Sequence, residues 1–142
     1  MYQLSQKSKL ALYSCHRDLI LIAEYAIRIT PVDFGISEGH RSVQRQKELY
    51  ELKRTQIDGV TKLSNHNYSP SKAFDFYAYV NGKLSYKEKD MVFLAGVFIA
   101  CAEILKLQGI IRSTVRWGGN WDGDGEIISD QGFIDTPHIE IL

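Results

Sequence analysis

Four residues in this sequence have types and positions that could do chemistry together: His66, Asp75, Asp135 and His138. His66 lies in Ser64-Asn65-His66-Asn67-Tyr68-Ser69-Pro70, and Asp75 closes Ser71-Lys72-Ala73-Phe74-Asp75. The other two share Asp135-Thr136-Pro137-His138-Ile139-Glu140. Two imidazoles and one carboxylate make a catalytic zinc set, which leaves the fourth metal position open for water. A further carboxylate beside that water would serve as general base. A plainer account stays open at this point: a loop histidine and a hydrogen-bonded strand histidine, because scattered His and Asp carry little information by themselves.

Such residues must be positioned by elements, and the chain pattern outlines them. From about Ser5 to Thr30, Leu12, Cys15, Leu19, Ile22, Ala23 and Ala26 recur at three- and four-residue spacing. This predicts one helix, stopped by Pro31. Gly35 to Gly39 is a short connection with room for a strand, and a second helix is predicted from Ser42 to about Arg54. Thr55 to Pro70 is polar and loop-like. Ala73 to Val80 is rich in aromatics and reads as a strand; Asn81-Gly82 is the preferred pair for a two-residue hairpin turn, and Lys83 to Tyr86 would begin the return strand.

Ser85-Tyr86-Lys87-Glu88 has capping-box form. It precedes a long apolar helix, about Tyr86 to Leu107, ending near Gly109. This helix is hydrophobic nearly all round, so it is expected to be the central buried one. Ile110 to Trp117 reads as a strand, Gly118 to Gly132 as a Gly/Asp-rich loop, and Phe133 to Ile141 as a closing strand. The expected fold class is α+β: a single domain over residues 1–142, with helices packed against a small antiparallel sheet that carries the metal site.

Composition narrows the function classes. With 44% apolar and 24% charged residues, the chain can bury a real core without staples. Lys+Arg and Asp+Glu are both 17, so the net charge is zero, unlike a chain built to grip nucleic-acid phosphates. Cys15 and Cys101 are too few for a disulfide framework and are read as buried thiols. Met1 to Lys9 is polar and lacks the apolar core of a signal peptide. The longest apolar run, Met91 to Ala102, is too short for a bilayer span of ~20 residues. No nucleic-acid partner, no membrane insertion and a cytoplasmic location are therefore expected.

Four motifs in order carry a resemblance: Ser64-x-His66, Ala73-Phe74-Asp75, Trp117-Gly118-Gly119-Asn120-Trp121 and Asp135-x-x-His138. Upstream, Glu38-Gly39-His40-Arg41-Ser42 and the segment Gln44 to Tyr50 fit the same pattern. Together they resemble the zinc peptidases that cut bacterial cell-wall peptides. These comprise the D-alanyl-D-alanine carboxypeptidases and dipeptidases and the phage L-alanyl-D-glutamate endopeptidases. The resemblance covers roughly Asp33 to the C-terminus. It departs in one place: His66 and Asp75 are nine residues apart where the family often has seven, and Ser69-Pro70-Ser71 replaces a glycine. A longer loop can still return to one metal, since closure costs little per added residue.

The resemblance implies that zinc is bound by His66, Asp75 and His138. Asp135 would be the general base that activates water at the metal, and then the acid that protonates the leaving amine. Arg41 would contact the substrate carboxylate or the developing oxyanion, unless it is a surface arginine at a helix start. Glu140, two residues beyond His138, would hold a ligand imidazole from behind or be a plain strand-end charge. Ser64 would hydrogen-bond substrate or form the turn. Trp117 is read as a core residue and Trp121 as the cleft rim that meets substrate. The resemblance further implies a single-domain lysis enzyme of the phage endolysin type, expected as a monomer, that stays in the host cytoplasm until released to peptidoglycan. L-alanyl-D-glutamate endopeptidase is the preferred specificity. D-Ala-D-Ala carboxypeptidase and a non-catalytic wall-binding module on the same fold are the alternatives.

Two features lie outside that pattern. Asn120, Asp122, Asp124 and Glu126 place oxygen side chains at alternating positions, with a glycine at the sixth position, like a calcium loop. The usual Glu at position twelve is absent, where Gln131 follows Asp130, so an acidic solvent loop is the simpler account and calcium the other. Lys and Arg are denser between Arg41 and Lys72, which suits an anionic wall polymer or a solvated face. His16 is expected on a helix surface and His40 at the cleft rim.

Overall fold

The computed structural model describes residues 1–142. The helices are α1 (Gln6–Leu12), α2 (Arg17–Ile29), α3 (Val43–Glu51) and α4 (Glu88–Leu107). The strands are β1 (Asp33–Glu38), β2 (Ala73–Val80), β3 (Lys83–Ser85), β4 (Val115–Trp117) and β5 (His138–Ile141), and Asn65–Asn67 form one turn of 3-10 helix. The sheet is antiparallel in the order β1-β2-β5-β4, and β3 pairs with β2 as the return arm of a hairpin. The expected α+β class, with helices on a small antiparallel sheet, is the observed one.

Alternation along the strands divides the sheet into a core face and a site face. On β2, Phe74, Phe76 and Ala78 are fully buried, while Asp75 belongs to the other set. On β5, Ile139 and Ile141 join the core and His138 and Glu140 take the opposite face. On β4, Trp117 is in the core and Arg116 is opposite Glu140. Helices cover the core face. Phe98 of α4 meets Phe34, Phe74 and Phe76 edge-on, at centroid distances of 4.8, 5.3 and 4.9 Å. Such aromatic pairs add ~0.5–1.5 kcal/mol each beyond the area they bury. The turn after β2 is formed by Asn81 and Gly82, with φ of 50° and 74°, as the hairpin signal requires.

The structure corrects several expectations. The first helical segment is two helices, not one. Between them His16 N–H donates to Ser71 O at 2.8 Å and Ser71 N–H donates to Ser14 O at 2.9 Å, so the chain leaves the helix to pair with the segment before β2. His16 is the cap of α2, its Nδ1 accepting from Asp18 N–H at 3.0 Å. The apolar spacing was blind to this break, because Leu12, Cys15 and Leu19 stay buried across it.

The start of α4 also differs. Lys87 is its N-cap, without a side-chain cap bond, and Ser85 instead donates its hydroxyl to Asp90 at 2.7 Å. Nor is α4 buried all round: Met91, Leu94, Ala95, Phe98, Cys101, Ala102 and Leu105 face the core, while Phe93, Ile104 and Leu107 are exposed. A single sheet lies against one side only. The two late strands are shorter than expected, β4 beginning at Val115 and β5 at His138. The chain before β4 is instead held by Asp18, whose carboxylate accepts from the Arg112 and Ser113 amides at 3.2 and 3.1 Å.

Candidate active site

The site is assembled by register. Asp75 of β2 and His138 of β5 are direct cross-strand partners, so their side chains stand together on the site face. His66 comes from the 3-10 turn. Ser64 caps that turn, its hydroxyl accepting from His66 N–H at 3.2 Å, and Asn67 closes it by accepting from Ser64 N–H at 2.9 Å. Lys72 N–H donates to Asn65 O, which ties the turn to the start of β2. The nine-residue separation of His66 from Asp75 is absorbed in the loop between them.

The three donor atoms form a nearly equilateral triangle. His66 Nε2 is 3.3 Å from Asp75 Oδ1 and 3.2 Å from His138 Nδ1, and His138 Nδ1 is 3.2 Å from Asp75 Oδ1. Ligands ~2.0–2.1 Å from a tetrahedral zinc stand ~3.3–3.4 Å apart, so three vertices of such a tetrahedron are already in place. His66 Nδ1 donates to Gly39 O at 2.7 Å and His138 Nε2 donates to Glu140 Oε1 at 2.8 Å. A carbonyl can only accept, so the lone pair of His66 is left on Nε2, toward the triangle. His66, Asp75 and His138 can therefore hold a metal ion.

Electrostatics follow from that crowding. Burial works against an ionised Asp75, but the two imidazoles outweigh it and hold the carboxyl far below the usual carboxylate range. Burial also works against a charged His138, yet the bonds to Asp75 and Glu140 push it up to about 10. A metal must then displace a proton from this ring. Asp135 sits apart from the triangle, its Oδ2 3.8 Å from His138 Nδ1. Burial, helped by the Asp75 charge, raises its carboxyl above the usual range. Gly118 seats it: Asp135 N–H donates to Gly118 O at 3.0 Å, and a Cβ on Gly118 would overlap the Asp135 main-chain oxygen.

Arg41 is 8% exposed and lies at the same cleft. Its Nε and Nη2 donate to the two Glu38 oxygens at 2.9 and 2.8 Å, and its Nη1 donates to Gln46 at 2.7 Å. Of five N–H donors, two remain, with Nη2 3.5 Å from Asp75 Oδ2. Trp117 is buried, donating its indole N–H to Thr136 O at 2.7 Å. Trp121 lines the cleft, stacked on Phe133 and tilted against His138 at 5.5 Å. The buried Glu140 is gripped by Arg116, whose Nη2 is 2.7 Å from its Oε2. Cys15 and Cys101 are buried thiols, pushed up to about 12 and about 11 by burial, and take no part in the site.

Sequence reasoning missed three contributors. Glu38 and Gln46 orient Arg41, and Arg116 holds Glu140; each sits inside or beside a recognised motif, but only register reveals its partner. The acidic loop is rearranged relative to expectation. Carboxylates of Asp122, Asp124 and Asp130 come within 4.8 Å of one another. Glu126 is outside this group and uses its N–H to donate to Asp124, while the Asn120 amide donates to Asp124 O at 3.0 Å. Asn120 Oδ1 is buried without a partner. No helix is long and apolar enough to cross a membrane.

The whole chain, residues 1–142, matches the family model for phage L-alanyl-D-glutamate peptidase. It is 24% identical over 143 residues to an L-alanyl-D-glutamate peptidase of Escherichia phage T5, covering 99% of this chain and 98% of that one. Among solved structures, it is similar to the L-Ala D-Glu endopeptidase ChiX of Serratia marcescens. The TM-score is 0.74 and the identity 26%, over 99% of this chain and 90% of ChiX.

Proposed function

The chain belongs to the phage L-alanyl-D-glutamate peptidase family, and from that premise we propose that it is a zinc peptidase cutting the L-alanyl-D-glutamyl bond of peptidoglycan stem peptides. The observation that carries the metal part is the donor triangle of His66, Asp75 and His138, with edges of 3.2–3.3 Å, beside a separate carboxylate. Zinc, when bound there, polarises the scissile carbonyl and acidifies water. Asp135, kept free of the ligand set, takes the proton from the attacking water and delivers it to the leaving amine. Arg41, braced by Glu38 and Gln46, offers its two remaining N–H groups to the developing oxyanion or a substrate carboxylate. Trp121 walls the cleft, and Ser64 places His66.

The protein accumulates in the host cytoplasm as a monomer and meets the wall once the membrane is opened. The test is incubation with defined muropeptides and mass identification of products, with chelator, with zinc restored, and with Asp135→Ala. Cleavage between L-Ala and D-Glu, abolished by chelator and by the substitution, is the expected result. Release of a terminal D-Ala alone would reassign the bond. Stoichiometric zinc without cleavage of any wall type would leave only a binding module.

We further propose calcium as a second cation, held by Asp122, Asp124 and Asp130, whose carboxylate oxygens lie within 4.8 Å of one another. Calcium titration by calorimetry at fixed zinc should show one site in the native chain and none in Asp122→Asn/Asp124→Asn. An unchanged heat in that variant removes calcium from the account.

A further inference from the structure

The cleft that holds the metal group has a volume of about 570 Å³. Its charge is distributed unevenly. Four carboxylates line it, Glu38, Asp75, Asp135 and Glu140, and four cations, Arg41, Arg54, Lys62 and Arg116. In charge, Arg41 is balanced by Glu38 and Arg116 by Glu140, although Arg41 keeps two N–H groups for substrate. A divalent metal would balance Asp75 and Asp135. Arg54 and Lys62 are then left over: both are exposed, and neither forms an ion pair. The occupied cleft therefore carries an excess of positive charge, and all of it is on one loop.

That loop, residues 52–64, is built rather than loose. The fully buried Gln46 donates to Ile57 O at 2.6 Å and to Thr55 Oγ1 at 3.2 Å, while its oxygen accepts from Arg41. Asp58 accepts from the amides of Val60, Thr61 and Lys62 at 2.9, 2.9 and 3.2 Å, and from the Thr61 hydroxyl at 2.6 Å. Gly59 closes the turn with an N–H bond to Lys62 O at 2.9 Å. One glutamine thus fixes Arg41 and the cationic wall relative to each other.

The substrate chemistry supplies a matching anion. A glutamyl residue on the leaving side of the cut bond has two carboxyl groups and uses at most one to continue the peptide. At least one carboxylate therefore lies within a few bonds of the scissile amide. Resting on the functional reading above, we propose that Arg54 and Lys62, held over the metal cleft by the Gln46-braced loop, bind this free glutamyl carboxylate and select acidic over amidated stem peptides.

The test is binding, made with the full chain carrying Asp135→Ala so that the peptide survives. Calorimetry would compare a zinc-loaded sample with two peptides containing L-Ala-γ-D-Glu, one with the free α-carboxylate and one with the carboxamide there. Two exposed charge contacts give about a tenfold tighter Kd for the acid. Adding Arg54→Ala and Lys62→Ala should bring the ratio close to one, and Arg54→Lys with Lys62→Arg should retain most of it. Equal affinity for acid and amide in the parent, or a preference that survives the double alanine, overturns the inference. Cleavage of the acid peptide by the native chain is scored separately. Its absence would strike the proposed reaction, while the affinity ratio alone decides the role of Arg54 and Lys62.

Discussion

Glu140 lies outside the donor triangle, yet it orients one of the three side chains that form it. Its Oε1 fixes His138 Nε2–H, which turns the Nδ1 of the same ring toward His66 and Asp75. Arg116, directly across the β4–β5 ladder, fixes Glu140 in turn. A carboxylate behind a metal-binding imidazole is worth ~10–100-fold in metal affinity. Glu140→Gln is therefore expected to weaken zinc binding by about that factor, as read by competition with a chromophoric chelator. Asp135→Asn, by contrast, should keep zinc and lose ~10²–10⁴-fold in kcat, as follows from the proposed role of Asp135 as proton acceptor outside the ligand set. An Asp135→Asn protein that lost its zinc would make this residue a ligand instead.

Elements matter here through the loops they pin. Gly118 in the turn after β4 lies against the Asp135 backbone, so Gly118→Ala must push the two chains apart. The variant should fold, keep zinc and lose activity on the scale of the Asp135 substitution; native kcat would show the contact to be slack. Asp18, in the first turn of α2, plays a similar part for the segment entering β4. Burial opposes its charge, but the Ser113 hydroxyl and the Ser113 and Arg112 amides outweigh it and lower its pKa. A carboxylate with a depressed folded pKa stabilises fully above its unfolded pKa and loses that contribution as pH falls through the folded one. Asp18→Asn should cost ~1–2 kcal/mol at neutral pH. The gap from the native chain, measured by urea unfolding, should close in acid below the ordinary carboxylate range.

At the scale of the whole molecule, one core serves one face of a sheet and leaves the other for chemistry. Phe98 joins α4 to β1 and β2, and Phe98→Ala should destabilise the fold by ~3–5 kcal/mol. Because Asp75 alternates with Phe74 and Phe76, zinc affinity in the folded fraction should change far less; a parallel loss would mean that core and site are not separable. Local pattern and residue chemistry carried far in this chain. The strand Ala73–Val80, the Asn81-Gly82 turn, the helix following Ser42, the buried cysteines and the likeness of the His66, Asp75, Asp135 and His138 motifs to a peptidase family were legible in it. The break at His16, the bare side of α4 and the Asp18 clasp were not, because each depends on a partner from a distant segment. Tertiary structure alone decided that Arg116 meets Glu140, that Gln46 joins Arg41 to the cationic loop, and that three donor atoms stand 3.2–3.3 Å apart. Spacing along a chain restricts which side chains can meet, but strand register and loop closure set the distances at which they do.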